Sequence, residues 1–318
     1  MTFPPSDHFN GKTFFNPTDV GDRGWLDVLK WRLTSRPVPW PHRVPVVVAP
    51  PPAPPKAEGI AVTWIGHSTF LLQTARGSFL TDPVFSERAG PFPGVGPLRA
   101  IAPGIAFDDL PPIEAVLLSH DHYDHCDLPT LRRLARRFSP VVVAPLGYRS
   151  LLASAGCNSV LERDWWQEAT LPGGASVTIV PAQHWCRRRP WGMNVRLWGG
   201  FMLRAGGRLL YFAGDTGYRR ALFKEIGQRC GAPDVALLPI GAYEPRWFMA
   251  DAHMNPDEAV QAHGDVGARR SVGMHWGTFC LTDEGREEPV QRLAEARARV
   301  GLRSDEFGTL APGASLMF

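Results

Sequence analysis

At 318 residues, with 44% hydrophobic and 20% charged side chains, the chain has the proportions of a globular protein with a sizeable core. A formal charge of +3 is too small to argue for a nucleic-acid partner, and every apolar run stops short of the ~18 residues a membrane span needs. Five scattered cysteines (Cys126, Cys157, Cys186, Cys230, Cys280), with no CxxC pair, fit a reducing compartment rather than a disulfide framework. No cationic and apolar leader opens the sequence, so the expected location is cytoplasmic, with peripheral contact at a membrane left open.

In chain order, residues 1–36 carry Phe3, Phe9, Phe14, Phe15, Trp25 and Trp31, more aromatic surface than a free tail carries. They are predicted to pack as an arm on the rest of the chain. Residues 37–55 are proline-rich and read as an extended connector, since proline fixes φ and lacks a backbone donor. The boundary is placed near Glu58, giving an arm over 1–58 and a main domain over 59–318. From Ile60 onward the strand candidates are IAVTWI, TFLLQT, SFLTD, AVLLS, VVVAP, VTIVPA, GFMLRA, LLYFAGD, VALLPI and SVGMH. Two helices stand out. In DLPTLRRLARRF, Asp127 is a cap candidate, Pro129 suits the first turn, and Leu131, Leu134 and Phe138 share a face; NPDEAVQAHG opens on an Asn-Pro cap signal. Hairpins first and strand–helix alternation later predict an α/β (α+β) fold of stacked sheets flanked by helices.

Behind the AVLLS strand lies LLSHDHYDHCD, with three histidines and three aspartates in eleven residues. His120 and His122 share a face at the strand end, and Asp124 and His125 follow as the chain turns. Imidazoles and a carboxylate at this density suit zinc, and one ion cannot easily use all four from one turn, so two metals are the more natural reading. Further ligands are needed, and His184, Asp215 and His275 each close a predicted strand. For a lone histidine, the ordinary explanation is a bonded core or surface residue. Four segments ending this way favour a metal site.

This H-x-H-x-D-H pattern with its downstream His, Asp and His resembles the metallo-β-lactamase superfamily. The strings VTWIGHSTFLLQT, FLTDPVFSERAGP, AQHWCRRR, YFAGDTGY, LPIGAYEPRWFM and MHWGTFCLTDE, with DHFNGKTFFNP and ERDWWQE, are similar to its N-acylphosphatidylethanolamine phospholipase D branch and bacterial relatives. The resemblance implies a four-layer αββα sandwich with the site at one edge of its packed sheets. It implies one metal on His120, His122 and His184, a second on Asp124, His125 and His275, and Asp215 bridging them. It also implies a homodimer.

The expected activity is hydrolysis of a phosphodiester, of a phospholipid such as N-acylphosphatidylethanolamine or of a small molecule, by a hydroxide shared between two divalent ions. Zinc comes first, with manganese, iron or nickel as alternatives. A lactone or carboxylic ester hydrolase on the same site is the second reading, and a non-catalytic metal-binding scaffold the third. Asp124 and His253 are the catalytic candidates, His253 as general acid or as substrate-orienting group, against a plain helix-cap role. Substrate contacts are expected from His253, from Tyr243 in YEPRWFM, and from Arg187 and Arg188 beside Trp185 and Trp191; core filling and a solvated loop are the alternatives. His67 is either a hydrogen-bond donor to a ligand or a turn residue. His263 reads as structural, and Asp121 and Tyr123 should point away from the metals.

Overall fold

Apolar side chains alternate between two directions along the strands, and this builds the centre of the molecule. Val62, Trp64, Phe70, Leu72, Phe79, Ala115, Leu117 and Val143 join one buried cluster, while Ile65, Leu71, Leu80, Val116, Val142 and Ala144 between them join another. The computed structural model describes residues 3–18, 24–189 and 191–318, so parts of the predicted arm (1–2, 19–23) and Pro190 of the Arg/Trp loop lie outside the described residues.

The strands are β1 (Ala61–Gly66), β2 (Thr69–Thr74), β3 (Gly77–Thr81), β4 (Ala115–Leu117), β5 (Val141–Ala144), β6 (Val160–Glu162), β7 (Glu168–Thr170), β8 (Ser176–Val180), β9 (Gly200–Ala205), β10 (Arg208–Phe212), β11 (Val235–Pro239), β12 (Arg270–Met274), β13 (Phe307–Thr309) and β14 (Ser315–Met317). The helices are α1 (Trp25–Thr34), α2 (Leu128–Phe138), α3 (Arg149–Ser154), α4 (Arg220–Cys230), α5 (Arg246–Met249), α6 (Pro256–Val266) and α7 (Glu288–Val300). One 7-stranded sheet runs β14-β1-β2-β3-β4-β5-β6, the other β13-β12-β11-β10-β9-β8-β7. Each combines antiparallel hairpin strands with a parallel run, β3 to β6 in the first and β10 to β13 in the second.

Leu131 and Leu134 of α2 and Leu152 of α3 cover the outer face of the first sheet. Phe223 and Ile226 of α4, Ala259 and Ala262 of α6, and Leu293 of α7 belong to the larger cluster that includes the second sheet. The result is four layers, αββα. All ten predicted strands are present, and β6, β7, β13 and β14 add short pairings at the sheet margins. The start of α6 is as predicted: Asn255 accepts from Glu258 N at 2.9 Å, and Glu258 reaches back to Asn255 N at 2.9 Å. Asp127 differs. It occupies the cap position of α2, but its carboxylate accepts from Ser86 N (3.0 Å) and the Thr130 hydroxyl (2.5 Å), fastening the loop after β3 instead.

Several residues of the N-terminal stretch meet the strand-bearing part of the chain. Phe9 and Phe14 are buried in the large cluster, Phe14 N donates to Asn194 O (2.8 Å), and Asn16 Nδ2 donates to His184 O (2.9 Å). The proline-rich connector is laid along the surface: Val38 N donates to Asp283 O (3.0 Å), Trp40 Nε1 to Glu284 O (3.0 Å), and Val44 N to Ala100 O (2.8 Å). In contrast, α1 buries none of its residues, and Trp25 is 74% exposed.

His8 pins the arm, stacking on Trp165 (4.3 Å) with Nε2 2.8 Å from Asp164 and Nδ1 2.6 Å from Asp7. Burial alone would lower its pKa, but the two carboxylates outweigh burial and raise it. A raised folded pKa means that this contribution is complete below the unfolded value of about 6.5 and fades as pH rises through the folded one. The Tm difference between wild type and His8→Gln is therefore expected to shrink from pH 6 to pH 9. A difference constant across that range would show that the ion pairs add nothing.

Candidate metal centre

Strand ends from both sheets meet at one edge of the sandwich. His67 follows β1, Asp82 follows β3, His120 to His125 follow β4, His184 follows β8, Asp215 follows β10 and His275 follows β12. The turn after β4 is closed by His125 N and Cys126 N, which both donate to His122 O (3.1 and 2.8 Å) before α2 begins. His67 and His275 both adopt left-handed backbone (φ 56° and 63°), a costly conformation for a side-chain-bearing residue that persists where its surroundings enforce it. Here they enforce it on each other, because His275 N donates to His67 O at 3.1 Å.

The donor atoms fall into two nests. In the first, His122 Nδ1 lies 2.9 Å from His120 Nε2 and 3.3 Å from His184 Nε2. In the second, His275 Nε2 lies 3.1 Å from His125 Nε2 and 3.4 Å from Asp124 Oδ2. Asp215 Oδ2 faces both: it is 3.9 Å from His120 and His184, 3.2 Å from His125 and 3.1 Å from His275. All seven predicted ligands are thus brought together.

The far ring nitrogens of His120, His125 and His184 are held by other groups, which orients those three imidazoles. His125 Nδ1 is 2.6 Å from Asp82, a fully buried carboxylate that also accepts from Ser119 N (2.7 Å) and Ser119 Oγ (2.5 Å). Ser119 Oγ in turn meets His120 Nδ1 at 2.9 Å, and His184 Nδ1 donates to Ala252 O at 3.0 Å. His67 Nε2 donates to Asp124 Oδ2 at 3.0 Å from its left-handed turn position, so both readings of His67 describe contacts it makes. Asp82 was not singled out from sequence. Trp185, edge-on to His122 at 4.4 Å, forms one wall.

Electrostatically the pocket favours positive charge at its centre. Burial alone would raise the pKa values of Asp215 and Asp124, yet His125 and His275 hold both well below the usual carboxylate range. His125 and His275 are pulled up by the same carboxylates against burial, His275 to about 9. His120 and His184 are pushed well down by burial and by neighbouring rings. Asp215 Oδ1 and His253 Nδ1 are buried without a hydrogen-bond partner. Crowded imidazole nitrogens around an orphaned carboxylate oxygen cannot satisfy one another by sharing protons, whereas divalent cations would satisfy them. The residues fit metal.

The other predicted residues divide. His253 lies beside the nests, its Nδ1 3.8 Å from Asp215 and its ring 5.2 Å from that of His184. Burial pushes its pKa down to about 4, which favours the neutral ring and suits a hydrogen bond to substrate. Tyr243 is a correction: it is fully buried with its hydroxyl donating to Glu288 (2.9 Å), and so serves the core rather than a substrate. Arg188 commits its Nη1 to the carbonyls of Asp121 (3.0 Å) and Cys126 (2.8 Å). Arg187 is exposed over Trp185 at 5.7 Å and stays free to meet an anion. Asp121 pairs with Arg196 (2.9 Å), and Tyr123 donates to Arg188 O (2.5 Å); both turn away from the nests as expected. His263 bonds to Ser271 (2.8 Å) from within α6.

Residues 78–276 match the model of the β-lactamase superfamily domain. The chain is 40% identical over 267 residues to N-acyl-phosphatidylethanolamine-hydrolyzing phospholipase D 1 of Caenorhabditis elegans, covering 80% of this chain and 75% of that protein. It is 30% identical over 256 residues to a metal-dependent hydrolase of Anaeromyxobacter, covering 75% of this chain and 82% of the relative. The structure of Igni18, a metallo hydrolase of Ignicoccus hospitalis, superposes with a TM-score of 0.59 at 21% identity, covering 82% of this chain and 98% of that one, a likeness of fold. With the ligand residues gathered at the sheet edge, these matches show that the chain belongs to the metallo-β-lactamase superfamily, in its N-acylphosphatidylethanolamine phospholipase D-like branch, and is a metal-dependent hydrolase.

Proposed function

We propose that the chain hydrolyses a phosphodiester bond of a phospholipid of the N-acylphosphatidylethanolamine kind, with two divalent ions, zinc first. The observation that carries this reading is the pair of donor nests sharing Asp215, set beside the activity named for the Caenorhabditis elegans relative. His120, His122 and His184 would hold one ion, and Asp124, His125 and His275 the other. When bound, such ions acidify water and neutralise charge developing on phosphoryl oxygens. The chain's own residues do the rest. Asp82, Ser119 and His67 keep the ligands aimed, neutral His253 offers a hydrogen bond to substrate oxygen, and Trp185 excludes water from one side.

Apolar side chains near this edge suit a lipid surface. Trp25, Leu29 and Leu33 of α1 and Trp191 in the loop after His184 are exposed. Trp31 of α1 stacks on Phe248 of α5, and the next residue, Met249, accepts from His253 N at 2.9 Å, which links α1 to the nests. Among the described residues no helix is long and apolar enough to cross a membrane; the exposed side chains of α1 suit peripheral docking.

The test compares bis-p-nitrophenyl phosphate, a simple lactone and N-acylphosphatidylethanolamine vesicles, each with and without chelator. Chelator-sensitive turnover of both phosphodiesters is expected; lactone turnover alone would reassign the site to carboxylic esters, and no turnover would leave a scaffold. His253→Ala should lower turnover at unchanged metal content. Burying one large apolar side chain is worth about 1.5–3 kcal/mol, so Trp25→Asp with Leu33→Asp should cut vesicle turnover at least about tenfold while sparing the soluble phosphodiester.

A further inference from the structure

At the ends of the strands opposite the metal nests the two sheets part around a cavity of about 890 Å³, within the size range of small-molecule sites. Its walls come from the chain before β1, the β2–β3 and β9–β10 turns, and the segment after α4. They contribute four cations, Lys56, Arg76, Arg204 and Arg208, against two carboxylates, Glu58 and Asp234.

That balance leaves positive charge to spare. Asp234 is already engaged, accepting from Leu209 N (3.0 Å) and pairing with Arg269 at 3.3 Å outside the cavity. Arg204 donates to Cys230 O (2.5 Å) and so offsets the carbonyl end of α4. Arg208 reaches Asp234 only at 3.8 Å, and its Nε is buried with no acceptor. An N–H left in that state costs free energy that an incoming oxygen would recover. Lys56 and Arg76 are exposed, and neither side chain meets an acceptor among the described residues.

We propose that this cavity is a second ligand site, separate from the metal nests, for a small, multiply charged organic phosphate. Three guanidinium groups on two walls, Arg76 from the β2–β3 turn and Arg204 and Arg208 from the β9–β10 hairpin, match phosphate oxygens in charge and planar geometry, and Lys56 adds a point charge from a third wall. The volume exceeds what orthophosphate alone would fill, which points to an organic phosphate. The site uses none of the residues assigned to hydrolysis, so it stands apart from that reading.

Isothermal titration of the metal-loaded protein with fructose 1,6-bisphosphate, and separately with orthophosphate, tests it. The sugar bisphosphate is expected to bind more tightly than orthophosphate and more weakly as salt rises. In Lys56→Ala/Arg76→Ala its Kd should weaken by roughly tenfold or more. Because those side chains hold nothing else in place, the variant should keep its Tm and its turnover of bis-p-nitrophenyl phosphate. Arg208→Ala provides an independent check through the orphaned donor. Isotherms identical in wild type and both variants, or orthophosphate binding as tightly as the bisphosphate, would overturn the proposal. A protein without hydrolytic activity that still shows the Lys56- and Arg76-dependent isotherm would overturn only the phosphodiesterase reading.

Discussion

Asp215→Ala is expected to abolish hydrolysis and to release metal. Loss of a group that merely supports a ligand costs about 10–100-fold in affinity or activity, and a carboxylate facing both nests should cost more than about 100-fold. Its removal leaves His125 and His275, 3.2 and 3.1 Å away, without the main charge that draws positive ions to them. Asp215→Asn keeps the shape and loses the charge, so it should fail similarly if charge is the reason. Elemental analysis and turnover of the soluble phosphodiester read both consequences. Full activity with undiminished metal in the alanine variant would remove Asp215 from the centre.

Asp82→Ala carries the second large effect, and it divides between stability and metal. The substitution strands three donors, Ser119 N, Ser119 Oγ and His125 Nδ1, at a site with no solvent. Breaking one side of a buried pair costs about 3–5 kcal/mol, and a lost outer partner weakens metal affinity about 10–100-fold. Asp82→Asn can still accept from Ser119 N and should recover much of the stability. It should not recover metal affinity, because with its oxygen on Ser119 N it turns an NH2 donor, not an acceptor, towards His125 Nδ1. Urea denaturation and competition with a chromogenic chelator separate the two. If stability and affinity both stay at wild-type levels in the alanine variant, Asp82 has no such role.

The seven candidate ligand positions are legible because His184, Asp215 and His275 each follow closely on a strand whose apolar pattern is strong, and because His120, His122, Asp124 and His125 crowd the turn that follows β4. Asp82 was illegible for the opposite reason. In FLTDPVF it reads as a turn residue before proline, and only tertiary folding sets it under His125, 43 positions away. Tyr243 went astray because an aromatic ring with a polar tip suits a pocket and a core equally well; its deciding partner, Glu288, lies 45 residues on. Helices with strong local signals, Pro129 in α2 and the Asn255 box in α6, were found. Helices α4 and α7 open on Arg219 and Glu287, which are weak cap signals in a sequence, although Pro289 gives α7 the same first-turn proline as α2; strands of three residues are too short to show a period.

The arm's fastening has a consequence for the order in which the molecule is made. Residues 8, 14 and 16 bind Asp164, Asn194 and His184, so a ribosome must add well over a hundred further residues before any of these grips exists. Until then Phe9 and Phe14 travel uncovered, a natural handle for chaperones during translation. Once the arm latches, Asn16 ties the backbone carbonyl of His184 to the nascent chain's earliest described segment. The arm's grip thus falls on the residue whose ring faces the first nest, and neither contact can form before His184 is made.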